Sequence, residues 1–134
     1  MAVKPVSIPA TLASFTETWS PRLVAAVNDA HVKVARVDGS FVWHAHADSD
    51  ELFYVLAGEV DLELELGRGE VEVEVEVVRM RPGDVYVVPR GVRHRPVARD
   101  AQILLLERAG TVNTGDAVAE GRTRVPVDVR AEVM

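Results

Sequence analysis

Three of the chain's four histidines, together with one glutamate, have the types and spacing to hold a single metal ion. His44 and His46 form a His-x-His pair, Glu51 follows five residues later, and His94 lies far downstream in Pro89-Arg90-Gly91-Val92-Arg93-His94. On a β-strand, residues two apart point to the same face, so His44 and His46 can reach a common point. Imidazole and carboxylate suit a first-row divalent metal that keeps positions open for a small molecule. Three neutral imidazoles and one carboxylate leave a divalent ion with a net positive charge. Such a centre can polarise a carbonyl or a bound water, or bind a carboxylate or an enediol. Redox chemistry there would need iron, manganese, nickel or copper rather than zinc.

These side chains need a scaffold that aims them inward, and the sequence points to strands. Phe41 to His46 is expected as the strand that carries the first ligands, after a turn at Asp38-Gly39. Glu51 lies past the end of that strand, and the small polar run Ala47-Asp48-Ser49-Asp50 can turn the chain back. His94 follows a Pro-x-Gly turn that can aim it inward. Leu52 to Leu56, ended by Gly58, Val85 to Val88, His94 to Ala98 and Ala101 to Glu107 read as further strands. Arg22 to Val27 and His31 to Val37 precede them, after a short helix over Ile8 to Glu17 with Pro9 in its first turn.

From Glu59 the pattern becomes strict alternation. Val60, Leu62, Leu64 and Leu66 alternate with Glu59, Asp61, Glu63 and Glu65; Gly67-Arg68-Gly69 makes a turn; then Val71, Val73, Val75 and Val77 alternate with Glu70, Glu72, Glu74 and Glu76. This predicts a hairpin with one buried and one wet face. A helix would not sort these residues, because its period is about 3.6. Recurrent short strands with turn signals, and no long amphipathic helix, argue an all-β sandwich or barrel.

The chain has 134 residues, 48 % of them hydrophobic, which suits one domain with one packed core. It has no cysteine, so disulfides and thiolate chemistry are excluded. No signal peptide is visible, and nothing approaches the roughly 20 apolar residues of a membrane span. A cytoplasmic protein with no membrane partner is the expectation. The formal charge of −6 argues against a general grip on nucleic acid.

The metal-ligand residues sit in two motifs that resemble those of the cupin family. The family's first motif is G-x5-H-x-H-x3-4-E-x6-G; here Gly39, four residues, His44-Ala45-His46, four residues, Glu51, six residues and Gly58 stand in that order. The second is G-x5-P-x-G-x2-H-x3-N; here it reads Gly83, five residues, Pro89-Arg90-Gly91, two residues, His94, three residues and Ala98. The first spacing is one residue short, and Ala98 stands where the family has Asn, which is not a ligand. The match runs roughly from Val32 to Ala109. The resemblance implies a double-stranded β-helix or jelly-roll barrel with a short N-terminal helix, and metal held by His44, His46, Glu51 and His94. It implies one cupin domain over 1–134, with the barrel at about 31–109, an N-terminal arm at 8–27 and a tail at 110–134. Many relatives are homodimers whose N-terminal strands pack across the interface. Within the family the chain looks like the small single-domain bacterial cupins, loosely labelled sugar-phosphate-isomerase-like.

Other residues divide between chemistry and packing. His31 lies outside both motifs and reads as structural. Trp43 has opposite parity to the ligands and is expected to pack against another layer or subunit. Val42, Phe53 and Val55 have the parity to line the interior, as pocket wall or as plain core. Tyr54 and Tyr86 could each donate a hydrogen bond into the pocket, and the sequence does not fix their direction. Eight of the twenty-one acidic residues lie between Glu59 and Glu76, as the solvated face of a sheet. Arg79, Arg81, Arg90, Arg93, Arg95 and Arg99 can balance them, with anion recognition as the other role. Glu107 and the Gly110-to-Asp116 segment read as strand end and ordered loop, or as a general base and a lid.

Two function classes follow. The first is an enzyme that uses one divalent iron, manganese, nickel, zinc or copper ion on a small oxygen-rich molecule, as a dioxygenase or a sugar isomerase. The second is a non-catalytic small-molecule binding or sensor protein with the same pocket. No serine sits in a nucleophile motif, so covalent catalysis is not expected.

Overall fold

A computed structural model describes residues 4–67, 73–117 and 121–130. One short helix, α1 (Ile8–Ala13), precedes seven strands: β1 (Arg22–Val27), β2 (Ala30–Ser40), β3 (Glu51–Leu66), β4 (Glu74–Met80), β5 (Val85–Val88), β6 (His94–Arg108) and β7 (Val127–Asp128). They form one sheet in the order β4-β3-β6-β2-β1-β7, with β5 pairing with the start of β3 on the same margin as β4. All pairs are antiparallel except β1 with β7. The fold is all-β, and β3 and β6, which pair along most of their lengths, are its spine.

The inner face buries Val37, Phe53, Val55, Val60, Leu62, Leu64, Met80, Val88, Ile103 and Leu105. A second cluster lies on the outside, where Leu12 and Phe15 of the N-terminal arm cover Val24 and Val34. The helix stops at Ala13 rather than running to Glu17. Ser7 caps its start, Ser14 caps its end, and the Arg36 guanidinium takes the Leu12 carbonyl, which a longer helix would have used, together with that of Phe15. Satisfying those carbonyls from a neighbouring strand removes the need for a further turn.

Several expected breaks are bends within longer strands. Asp38-Gly39 is not a turn: β2 runs through it, with a register shift between Val37 and Gly39. Gly58 does not end its strand, and β3 continues for 16 residues across register shifts on both sides of Ala57. Facing it, β6 joins the two expected strands through Asp100, at φ 39°. These are bulges, in which one extra residue bends a strand without ending it.

Gly58 has no alternative there. Its φ is +74°, and a Cβ would lie 2.3 Å from the Asp100 carbonyl oxygen and 2.6 Å from the Ala101 Cα. Both are backbone atoms, so no side chain can yield. The Gly58→Ala variant is therefore expected to lose about 3 kcal/mol or more, or to fail to fold. Urea denaturation checks this, and a loss below about 1 kcal/mol would show that the corner can relax.

The hairpin departs from expectation in its faces. Val60, Leu62 and Leu64 are buried, but Val75 and Val77 are 54 % and 42 % exposed. The register sets Val77 against Glu63 and Val75 against Glu65, so these two valines share the outer face with the acids of β3, while Val78 meets Leu62 on the inner face. Leu64 instead meets Glu76 across the inner face. The turn expected at Gly67-Arg68-Gly69 extends outside the described residues, as do Glu70, Val71 and Glu72. The outer acids pair with arginines of β6 or just before it: Glu63 with Arg95, Glu65 with Arg93, and Glu59 and Asp61 with Arg99.

Candidate metal centre

The segment expected as the ligand-bearing strand is mostly irregular. Only His44 keeps ladder geometry, in a lone antiparallel bridge to His94. Its N–H donates to the His94 carbonyl at 3.0 Å, and the His94 N–H donates back to the His44 carbonyl at 2.8 Å. Main-chain pairing thus joins two residues fifty positions apart. The C-terminal loop holds the other side. Asp116 N–H donates to the Ala45 carbonyl at 3.0 Å, and Ala45 N–H donates to Asp116 Oδ1 at 2.7 Å. Gly115 sits so close that a Cβ would lie 2.4 Å from the Ala45 oxygen and 3.0 Å from His46 Nδ1. The 110–116 segment is a strap that clamps the ligand-bearing stretch.

His44, His46, Glu51 and His94 are all buried, and each offers one ligand atom within 4.8 Å of the others, an arrangement that could hold a metal ion. Glu51 stands at the centre: Oε2 is 3.3 Å from His46 Nε2, and Oε1 is 3.2 Å from His94 Nε2. His44 Nδ1 lies 2.8 Å from the Val42 carbonyl and His94 Nδ1 3.0 Å from that of Val92. Those carbonyls can only accept, so each ring is protonated on Nδ1 and keeps its Nε2 lone pair free. His46 Nε2 is buried and has no hydrogen-bond partner among the described residues. An orphaned imidazole nitrogen beside a carboxylate fits a cation between them.

The electrostatics agree with that fit. Burial, then the neighbouring His94, lower the His44 pKa to about 4, so the ring is neutral near pH 7. Burial on its own would raise Glu51. Its contacts with Glu107, His46 and His94 outweigh that and hold the carboxyl well below its ordinary value. His44 and Glu51 are thus unprotonated, as metal binding requires.

A cavity of about 30 Å³ reaches the cluster, lined by His44, Glu51, Phe41, Phe53, Leu105 and Glu107 among others. Phe53 is thus pocket wall, whereas Val55 is core and Val42 contributes its carbonyl. Tyr86 packs on the core from the Phe53 side, whereas Tyr54 pairs with Val85 and Leu104 on the opposite parity, away from the cluster. Trp43 lies outside, with the Arg93 and Arg95 guanidinium groups 5.7 and 5.3 Å from its ring centre. His31 is half-buried on β2 and not part of the cluster.

Three site residues escaped the sequence reading. Phe41 packs edge-on to His44 and stacks on Trp19, with ring centres 5.6 and 4.6 Å apart. Lys33 pairs with Glu107 at 2.9 Å, both buried. The available signal was parity: Lys33 alternates with Ala35 and Val37, a lone cation on an apolar face. Burial, then the neighbouring Glu51 carboxylate, push the Glu107 pKa up to about 9 against the pull of Lys33.

Comparison with known proteins gives a consistent answer. The family model described as "Cupin domain" matches residues 30–106. The uncharacterized protein YdbB of Bacillus subtilis is 35 % identical over 72 residues, which are 54 % of this chain and 57 % of that one. A cupin-2 domain containing protein from Shewanella frigidimarina has 33 % identity and a TM-score of 0.67, over 77 % of this chain and 93 % of its own. Hydroquinone 1,2-dioxygenase PnpCD, in a complex with Fe3+, shares the fold at 19 % identity and a TM-score of 0.65, over 78 % of this chain and 32 % of its own. No helix among the described residues is long and apolar enough to cross a membrane. With both motifs folded round one buried cluster and the family model spanning more than half of its length, this chain belongs to the cupin family.

Proposed function

We propose that the chain is a metal-dependent enzyme that acts on a small oxygen-bearing molecule, with His44, His46, Glu51 and His94 as the metal ligands. The observation that carries this reading is the buried His46 Nε2, unpartnered among the described residues and set within 4.8 Å of three other donors. When bound, a divalent iron, manganese, nickel, zinc or copper ion supplies Lewis-acid polarisation of a ligand oxygen, and all of these but zinc also offer redox capacity. The chain's own residues do the rest. The Val42 and Val92 carbonyls fix the tautomers of His44 and His94. Phe41, Phe53 and Leu105 keep water from the cavity. The iron-containing dioxygenase of like fold makes oxygen chemistry the first class to screen, with sugar isomerisation second.

Elemental analysis of the purified protein, beside a His44→Ala/His46→Ala variant, tests the reading. Stoichiometric first-row metal in the wild type, lost in the variant, is the expected result. Absence of metal from both, even after reconstitution, would leave a barrel that binds a ligand by shape alone. A cytoplasmic homodimer is part of the same reading. It is supported by the lack of cysteine and by exposed Val85, Val87 and Leu106 on the outer sheet face. A sedimentation mass of one chain would exclude the dimer.

A further inference from the structure

Arg122 and Arg124 lie on an irregular stretch before β7, and side chains of the strap hold it in place. Asn113 Nδ2 donates to the Arg122 carbonyl at 2.9 Å, the Arg124 N–H donates to Asn113 Oδ1 at 2.8 Å, and the Thr114 and Thr123 hydroxyls are 2.7 Å apart. Asn113 Nδ2 also donates to the Trp19 carbonyl at 3.1 Å. Trp19 has φ 58°, a conformation that a bulky residue keeps only where its surroundings hold it. Here its N–H donates to the Arg36 carbonyl at 2.8 Å and its Nε1–H to the Asp38 carbonyl at 2.9 Å. The result is a fixed cleft of about 370 Å³, lined by Trp19, Asp38, Ser40, Arg122 and Arg124 among others. Trp19 is also a wall of the cavity beside the ligand cluster, so the two spaces adjoin.

The Arg122 guanidinium lies 5.0 Å from the Phe41 ring centre, and the His44 ring lies 5.6 Å from the same centre. One aromatic ring therefore separates this cation from the cluster. Its Nη2 donates to the Ser40 carbonyl at 3.2 Å, and its other N–H groups have no partner among the described residues. Stacking and that bond hold the guanidinium plane and leave donors for a planar anion. Arg93, Arg95 and Arg99 each meet a carboxylate; neither Arg122 nor Arg124 does among the described residues. Asp38 is the carboxylate that lines the cleft, and its Oδ1 accepts from the Asp100 N–H at 3.0 Å. Against it stand the Arg122 and Arg124 guanidinium groups, so the lining keeps a net positive charge that suits a singly charged anion. We propose that the ligand is a small organic acid. Its carboxylate lies on Arg122, with Arg124 adding charge, and its oxygen-bearing end reaches past Phe41 toward His44. This rests on the metal-centre reading above for the far end of the ligand only; the carboxylate clamp needs no metal.

The test is a calorimetric titration of the protein, metal-free and cobalt-loaded, with levulinate, its methyl ester and its phosphonate analogue. Levulinate should bind about tenfold or more tighter than the ester in both forms, because the ester gives the guanidinium no charged acceptor. The phosphonate should bind no tighter than levulinate. Arg122→Gln keeps a donor for the Ser40 carbonyl and should abolish the preference for the acid. Arg81→Gln removes the same charge from an exposed position outside the cleft and should leave the preference in place. Equal binding of acid and ester by the wild type, a preference that survives Arg122→Gln, or one lost equally in Arg81→Gln overturns the clamp. Tighter binding of the phosphonate overturns the carboxylate as its ligand. A protein that takes up no cobalt overturns the metal reading, and the acid–ester comparison in the metal-free protein still decides the clamp.

Discussion

The Glu51→Ala variant should remain folded and lose its metal, with an affinity at least about a hundredfold below the wild type. Partners that merely orient metal ligands already cost up to about that much when removed. Glu51 does more, since it is the single carboxylate of the cluster and faces both His46 and His94. Without it, three neutral imidazoles would face a divalent ion with no compensating charge. The fold should tolerate the change. Glu51 sits at the first residue of β3, and its pairing with Val88 is main-chain. The variant loses two side-chain contacts, worth about 1–3 kcal/mol together, and relieves the crowding of Glu51 against Glu107. Metal titration against a chromophoric chelator, beside a urea melt of the metal-free protein, separates the two effects. Unchanged affinity would remove Glu51 from the ligand set. The His94→Ala variant makes the contrast. Its ring is fully buried, yet the bridge to His44 is also main-chain. It should lose metal and keep its fold, and unfolding instead would make the ring chiefly a core element.

What could be read from the sequence follows the range of the interaction. The bounds of β1 and β5 agree residue for residue with the apolar runs that predicted them. The four cluster residues were legible because motif spacing is local, and their meeting across fifty residues came from the family resemblance. Gly58 and Gly39 misled, since a glycine at positive φ marks a turn and a bulge equally well, and only the partner strand decides between them. The hairpin failed for a related reason. Alternation gives each strand two faces but does not say which face of β4 joins which face of β3. That phase depends on the connection from 67 to 73, and a one-residue slip inverts it. Lys33 and Glu107 are 74 residues apart, and only the β2–β6 and β3–β6 registers bring them together inside. A charged residue in a strand is usually solvated, so the parity of Lys33 with Ala35 and Val37 and the place of Glu107 at a strand end did not join them into a pair.

That pair gives the second large effect. Lys33→Met should destabilise the protein by about 3–5 kcal/mol where Glu107 is ionised, whereas Lys33→Met/Glu107→Leu should recover most of the loss or exceed the wild type. The single change leaves the Glu107 carboxyl, 3 % exposed, without its cation, and also frees the Thr111 carbonyl that Lys33 holds at the root of the strap over His46. The double change removes both charges and fills the space with apolar atoms of similar volume. The gap between Lys33→Met and the double variant, which lacks the carboxyl, should also depend on pH in a definite direction. The Glu107 pKa is already raised to about 9 by burial and by Glu51, and without the ammonium nothing pulls it down. A carboxyl whose folded pKa lies above its unfolded value favours the fold while protonated, and stability falls as pH climbs between the two. The variant should therefore weaken from pH 5 toward pH 9, by at most about 1.4 kcal/mol per unit. Urea midpoints for the three proteins at pH 6 and pH 9 measure this. If the single and double variants are equally stable at both values, the lysine does not compensate a buried charge, and Glu107 is held in the interior by something other than Lys33.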